Sequence, residues 1–199
     1  MNPASFQYLW LPRDADNAMP AASDTFDLEP GEAIRHADVL AAAFGVADGT
    51  DAAGALAVIS NTAELKIFTR TYNTSQGGTF GQAFAGVPAD DLIPANTKKR
   101  LLFFTETGSY RSNIGLLNGT GSPITVNWER FRADGSMIDT GSAELAAWGN
   151  TQLNSVFQAE APISAAYIDV WTSTDDGAVF AYGSVLDNLT SDPTTVLPQ

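Results

Sequence analysis

Apolar and polar residues alternate with period two along most of this chain of 199 residues. The alternating runs are short and are separated by Gly, Asn, Asp and Pro, as expected for half-buried antiparallel strands joined by turns. The pattern predicts strands at Phe6–Leu11, Thr25–Leu28, Gly54–Ser60, Leu65–Tyr72 and Phe80–Phe84. Six more follow at Arg100–Glu106, Ser112–Leu117, Ile124–Arg130, Met137–Leu145, Tyr167–Thr172 and Ala178–Leu186. One stretch, HADVLAAAFG, changes period: Val39, Leu40, Ala43 and Phe44 recur at helical spacing and Gly45 is a natural stop. It predicts a short helix over Ala37–Phe44. PADDLI at 88–93 reads as a single helical turn in a linker.

The pattern also repeats. With residues 6–28 laid over 124–145, Trp10 falls on Trp128, the turn pair Asp16-Asn17 on Asp134-Gly135, and Met19 on Met137. Further on, Leu28 meets Leu145, Val39 meets Val156 and Leu40 meets Phe157. Two long apolar hairpins then end together at Asn73 and Asn188, the offset drifting from 118 to 115. The expected architecture is all-β: two related Ig-like antiparallel β-sandwich modules in tandem, over 1–97 and 98–199, with one short helix. The second module has two strands in front, in RLLFFTETG and YRSNIGLLN, for which the first has no room. A sandwich needs both sheets to cover its core. Either the chain is a fragment of a longer protein, or the missing strands come from a partner, a second copy or the other module by strand addition. The fragment reading is the simpler, because open edges left to a partner are uncommon.

Composition narrows the function classes. The chain is 44% hydrophobic, enough for a sizeable core. Its net charge of −13 repels nucleic acid and anionic membranes. The absence of cysteine removes disulfides, thiolate metal sites and a cysteine nucleophile. No apolar run approaches the ~20 residues of a membrane span, and MNPASFQYLWLPRD lacks the form of a signal peptide. Any export signal is expected outside this chain.

LEPGEAIRHADVLAAAFG, TRTYNTSQGGTFGQAF, YRSNIGLLN and YGSVLDNLTSDPTTVLP together resemble phrases that recur in tandem β-sandwich modules at the C-terminal ends of long secreted or cell-surface bacterial proteins. The resemblance covers nearly the whole chain and defines no active site. It implies an extracellular or cell-surface accessory region, non-catalytic, with a structural, adhesive or assembly role.

The candidate chemistry is thin. His36 is the only histidine and begins a helical turn beside a Pro-Gly corner, where a structural role is expected. QGGTFGQ (76–82) matches neither phosphate-binding glycine motif and reads as a flexible β-connection. Asn73, Asn118 and Asn188 each follow a strand, where asparagine suits a left-handed turn. Calcium wants several oxygens in one loop, and the candidate pairs are Asp14 with Asp16 and Asp187 with Asp192; ordinary turn chemistry explains them equally. No cofactor is otherwise implied. Trp10 and Trp128 match across the repeat and are expected to share a core role, which leaves Trp148, Trp171 and Tyr110 as the aromatics for a carbohydrate platform. That is the alternative function. A hydrolase is the remote one, since no pair of carboxylates is singled out.

Overall fold

The computed structural model describes residues 2–75 and 78–199. In chain order the strands are β1 (Ala4–Pro12), β2 (Ala21–Ala22), β3 (Phe26–Leu28), β4 (Gly54–Ser60), β5 (Phe68–Ser75), β6 (Gly78–Ala85) and β7 (Ile93–Pro94). They continue with β8 (Lys99–Glu106), β9 (Tyr110–Asn118), β10 (Ile124–Phe131), β11 (Met137–Leu145), β12 (Asn150–Leu153), β13 (Ile163–Thr172), β14 (Ala178–Asp187) and β15 (Pro193–Val196). The protein is all-β, with antiparallel sheets and one short α-helix, α1 (Val39–Phe44). The helix starts two residues later than its apolar spacing predicts. Asp38 is its N-cap, with a side chain that accepts from the Ala41 N–H at 3.0 Å, and Gly45 ends it in left-handed geometry. The helical turn expected in PADDLI is a 3-10 turn at Ala89–Asp91. Of the connection expected at 76–82, residues 76 and 77 lie outside the described residues, while Gly78–Gln82 are part of β6 and not a loop.

In the second half, one sheet runs β11-β10-β13-β8 and the other β12-β9-β14-β15, with β7 pairing the start of β14. The inward residues of both sheets make one core: Leu101, Phe104, Ile114, Val126, Val170 and Val179 are fully buried there. Each such side chain contributes about 1.5–3 kcal/mol relative to exposure. Trp128 packs at the margin of this core against Gly141, where a Cβ would fall 2.5 Å from the indole. Trp10 on β1 is also half-buried.

The two long hairpins expected from the alternation do not form. β13 and β14 lie in opposite sheets, β4 pairs with β1, and β5 pairs with β6. The five residues Ser173–Gly177 are long enough to cross the ~10 Å between packed sheets, whereas tight hairpins favour two-residue loops. Alternation predicts which residues share a face. It does not say whether the next strand turns back beside its neighbour or crosses over.

The three asparagines also work differently from expectation, since none has positive φ. Asn118 is fully buried and acts through its side chain. Its amide donates to the carbonyls of Ser122 and Ala146, both at 2.7 Å, and its oxygen accepts from the N–H and hydroxyl of Thr120. Asn188 donates to the Gly108 carbonyl and accepts from Arg111. Asn73 sits within β5, opposite Phe80.

The two halves meet through a reciprocal exchange of side-chain amides. Asn17, 4% exposed, donates to the carbonyls of Pro12 and Trp148, both at 3.1 Å. Asn150, 8% exposed, donates in the opposite direction to the carbonyls of Leu11 and Pro12. Backbone bonds from Asp14 N to Asn150 O and from Asn17 N to Ala147 O run alongside. A second contact lies further along: the ring of Phe84 on β6 meets Tyr182 of β14 edge-on at 4.9 Å.

Two stability effects follow from these amides. Asn118→Asp turns two donors into a carboxylate facing two carbonyls and should cost about 3 kcal/mol or more in urea unfolding. Asn17→Ala and Asn150→Ala should each cost about 1–3 kcal/mol. Because both serve the Pro12 carbonyl, a double-mutant cycle should show coupling; strict additivity would mean that the two amides act independently.

Candidate functional site

The least satisfied surface is the sheet of the first half. β1 lies at its centre, with β2 and β3 on one side and β4 on the other. One face carries an aromatic group: Phe6 and Phe26 stack at 5.6 Å, Tyr8 lies 5.4 Å from Phe26, and His36 stands 5.0 Å from Phe26 and 5.6 Å from Tyr8. The expected structural role of His36 is consistent with this packing, although its Nε2 is shielded from solvent with no hydrogen-bond partner. Burial raises the Tyr8 hydroxyl above its usual titration range. The face is nonetheless only partly covered. Helix α1 has no buried residue, and Leu56 and Val58 of β4 are half-buried.

Among the described residues β4 pairs only with β1. Asn61 N bonds Ser5 O, and Arg13 N bonds Ala53 O. Antiparallel alternation then turns the odd-numbered residues of β4 toward β1. The N–H and C=O groups of Leu56 and Val58 point the other way, and among the described residues no strand pairs with them. Gly54–Ser60 contains no charge and no proline, and its register with β1 is unbroken. Ile59 is 59% exposed.

The edges of the second half are guarded. β11 carries Asp139 and Glu144 beside a register break at Arg130/Phe131. β12 and β15 have four residues each, and β15 begins with proline. β8 carries Lys99 and Arg100, is kinked at Phe103 with φ 66°, and exchanges backbone bonds with Gln199. Charge, brevity, proline and kinks are the usual means of preventing edge pairing. β4 has none of them.

β5 is open too. Among the described residues it pairs only with β6. The Phe84 side of this hairpin rests on the second half, while Phe68 (73% exposed) and Tyr72 (44%) share the other side. Arg70 lies over the Tyr72 ring at 5.4 Å and donates to Thr79.

The residues expected to carry ligand chemistry are scattered. Tyr110 and Trp148 stand at opposite ends of the β9 region, since Tyr110 opens the strand and Gly149 O accepts from Asn118 N at its close. At ~3.3 Å per residue that is roughly 25 Å. Trp148, with φ 53°, belongs to the junction, where its carbonyl accepts from Asn17. Trp171 lies on the outer face of its sheet under Lys98 Nζ, 4.0 Å from the ring centre. The three do not form one platform.

Three of the candidate calcium ligands serve turns, and Asp14 bonds across to β12. Asp14 accepts from the Thr151 hydroxyl at 2.6 Å, and Asp16 accepts from Ala18 N. Asp187 accepts from the N–H groups of Leu189 and Thr190, which hold its carboxyl below the usual range. The N–H of Asp192 donates to the Thr190 hydroxyl. Among the described residues no group of three or more metal-ligating side chains occurs.

Two interaction centres escaped the sequence reading. Glu106, 5% exposed, accepts from the N–H groups of Phe157 and Ser112 and ties the end of β8 to the 3-10 turn at Gln158–Glu160. Arg130 grips Asp139 through both carboxylate oxygens, bonds Glu160 and the Val156 carbonyl, and lies over the Phe157 ring. An acid–base pair of this kind looks catalytic in a list of residues. Here Arg130 ties β10 to Asp139 of β11 and to the segment around the 3-10 turn at Gln158–Glu160. Comparison with protein-family models, with curated proteins and with solved structures finds no match for this chain.

The Arg130 cluster gives a pH dependence. Its hydrogen bonds hold the Asp139 carboxyl below the usual range, against the opposing effect of burial. A depressed folded-state pKa supplies stability above the unfolded carboxylate range, near pH 4, that is lost as pH falls through the folded value. Asp139 is 48% exposed, so the contribution is below about 1 kcal/mol. Asp139→Asn should lower stability at pH 7, and the gap to the parent should close between about pH 5 and pH 2. A gap constant with pH would show that the ion pair contributes nothing.

Proposed function

We propose that this chain is a non-catalytic, extracellular or cell-surface β-sandwich protein whose role is structural, adhesive or assembly-forming. The observation that carries the reading is the bare, uncharged edge of β4 beside a second half whose edges are all guarded. Selection against aggregation removes such edges unless pairing is their use. The same reading takes residues 1–97 and 98–199 as two related units. It is supported by the matching surroundings of Trp10 and Trp128. Trp10 lies opposite Ala21 and Leu56, and Trp128 opposite Gly141 and Val170, each in a strand flanked on both sides. The extracellular setting rests on the resemblance of the quoted phrases. The carbohydrate alternative has no comparable observation behind it, because its three aromatics lie apart.

Light scattering after size exclusion tests the assembly role. The expected result is concentration-dependent growth to dimers or larger species, equal in calcium and in chelator, and suppressed by Ile59→Lys, which places a charge on β4. A strict monomer at every concentration would defeat self-association through this edge.

A further inference from the structure

Among the described residues, four cations lie over aromatic rings: Lys98 over Trp171, Arg100 over Tyr167, Arg130 over Phe157 and Arg70 over Tyr72. In the second half each such cation also holds a carboxylate. Lys98 bonds Glu129 at 2.7 Å, Arg100 grips Asp169 through two bonds at 2.7 and 2.8 Å, and Arg130 grips Asp139. Ring, cation and acid form one unit, in which the ring seats the cation and the N–H groups left over meet the acid. Arg70 has the ring and lacks the acid. Its Nη2 donates to the carbonyl and hydroxyl of Thr79, at 3.4 and 3.2 Å, and among the described residues its Nε and Nη1 have no acceptor. A guanidinium carries N–H donors on every nitrogen in a planar fork, so the carboxylate-binding capacity of this one is largely unfilled.

The surroundings of Arg70 fit a ligand that supplies the acid. Between Glu64 and Asp90 the chain has no acidic residue, and its only charges there are Lys66 and Arg70, in a protein of net charge −13. Phe68 and Tyr72 flank Arg70 on the same side of β5, about 13 Å apart along the strand. Both rings are exposed. Opposite the three residues on β6 stand Ala85, Ala83 and Gly81, which raise no large side chain over the strip. The other side of the hairpin is the one that rests on Tyr182 through Phe84. The strip is thus two exposed rings with an unmatched cation between them.

We propose that this strip binds a carboxylate-bearing polysaccharide. The acid of one sugar sits on Arg70, and the apolar C–H faces of the sugars on either side lie against Phe68 and Tyr72. A uronate ring carries acid and apolar face on one rigid body, so little conformational freedom is lost when both are engaged. An acidic peptide brings its carboxylates on flexible side chains and offers the two rings no such face. The strip is separate from the edge of β4, gives the adhesive role a ligand, and does not depend on self-association. It is also separate from Trp148, Trp171 and Tyr110, and Trp171 already carries Lys98 with its acid.

The test is affinity electrophoresis of the full chain in chelator against polygalacturonate, alginate and hyaluronate. The methyl-esterified form of each polymer is the neutral control, and polyglutamate is the acidic peptide. At least one of the three acids should bind about tenfold more tightly than its ester and than polyglutamate. Arg70→Gln should weaken that binding about tenfold and bring acid and ester level. Phe68→Ala should weaken it about fivefold while the preference for the acid remains. Both side chains are exposed, so both variants should keep the urea midpoint of the parent. The same losses should appear in the Ile59→Lys background, in which pairing at β4 is blocked, so failure here and failure of the assembly role are told apart. No binding of any of the three acids, equal binding of acid and ester, equal binding of polyglutamate, or binding indifferent to both substitutions would overturn the proposal.

Discussion

The order of the first half depends on carbonyl groups that leave water at the end of β1. Leu11 is fully buried, and its carbonyl, with that of Pro12, accepts from the side chain of Asn150. Asn17 returns the exchange by donating to Pro12 and Trp148. A buried carbonyl without a donor costs about 1–3 kcal/mol, so the amides of Asn17 and Asn150 help to hold the two halves together. The first half has little else to rely on. The cluster of fully buried apolar residues lies in the second half, and the aromatic face of β1 is only partly covered. The first sheet is therefore held at one end by polar bonds to a neighbour with a complete core.

Much of the strand content was legible because burial on one face imposes alternation. Gly54–Ser60 and Met137–Leu145 match their expected bounds, and most of the others differ at their ends. The strands that escaped were short or polar. Asn150–Leu153 has no apolar alternation to read, and Pro193–Val196 opens with a residue that ordinarily argues against a strand. Pairing partners were not legible, since a face pattern is equally compatible with a hairpin and with a crossover between sheets. The same limit hid the polar centres. Asn17, Asn118, Asn150 and Glu106 look like turn and surface residues in sequence, and their importance comes from carbonyls and N–H groups brought to them from distant segments. Half of the candidate site was visible. The composition of β4 was legible as Gly54–Ser60, whereas its lack of protection required knowing that β4 is an edge.

An unguarded edge has to be judged against the other edges of the same molecule. The composition of β4 alone would be unremarkable in the middle of a sheet, where Val170 and Ile168 of β13 stand with neighbours on both sides. What distinguishes it is position. Each outer strand of the second half carries a charge, a kink, a proline or a short length, and β4 carries apolar and small residues along seven positions. β4 is thus built like an interior strand and placed at an edge.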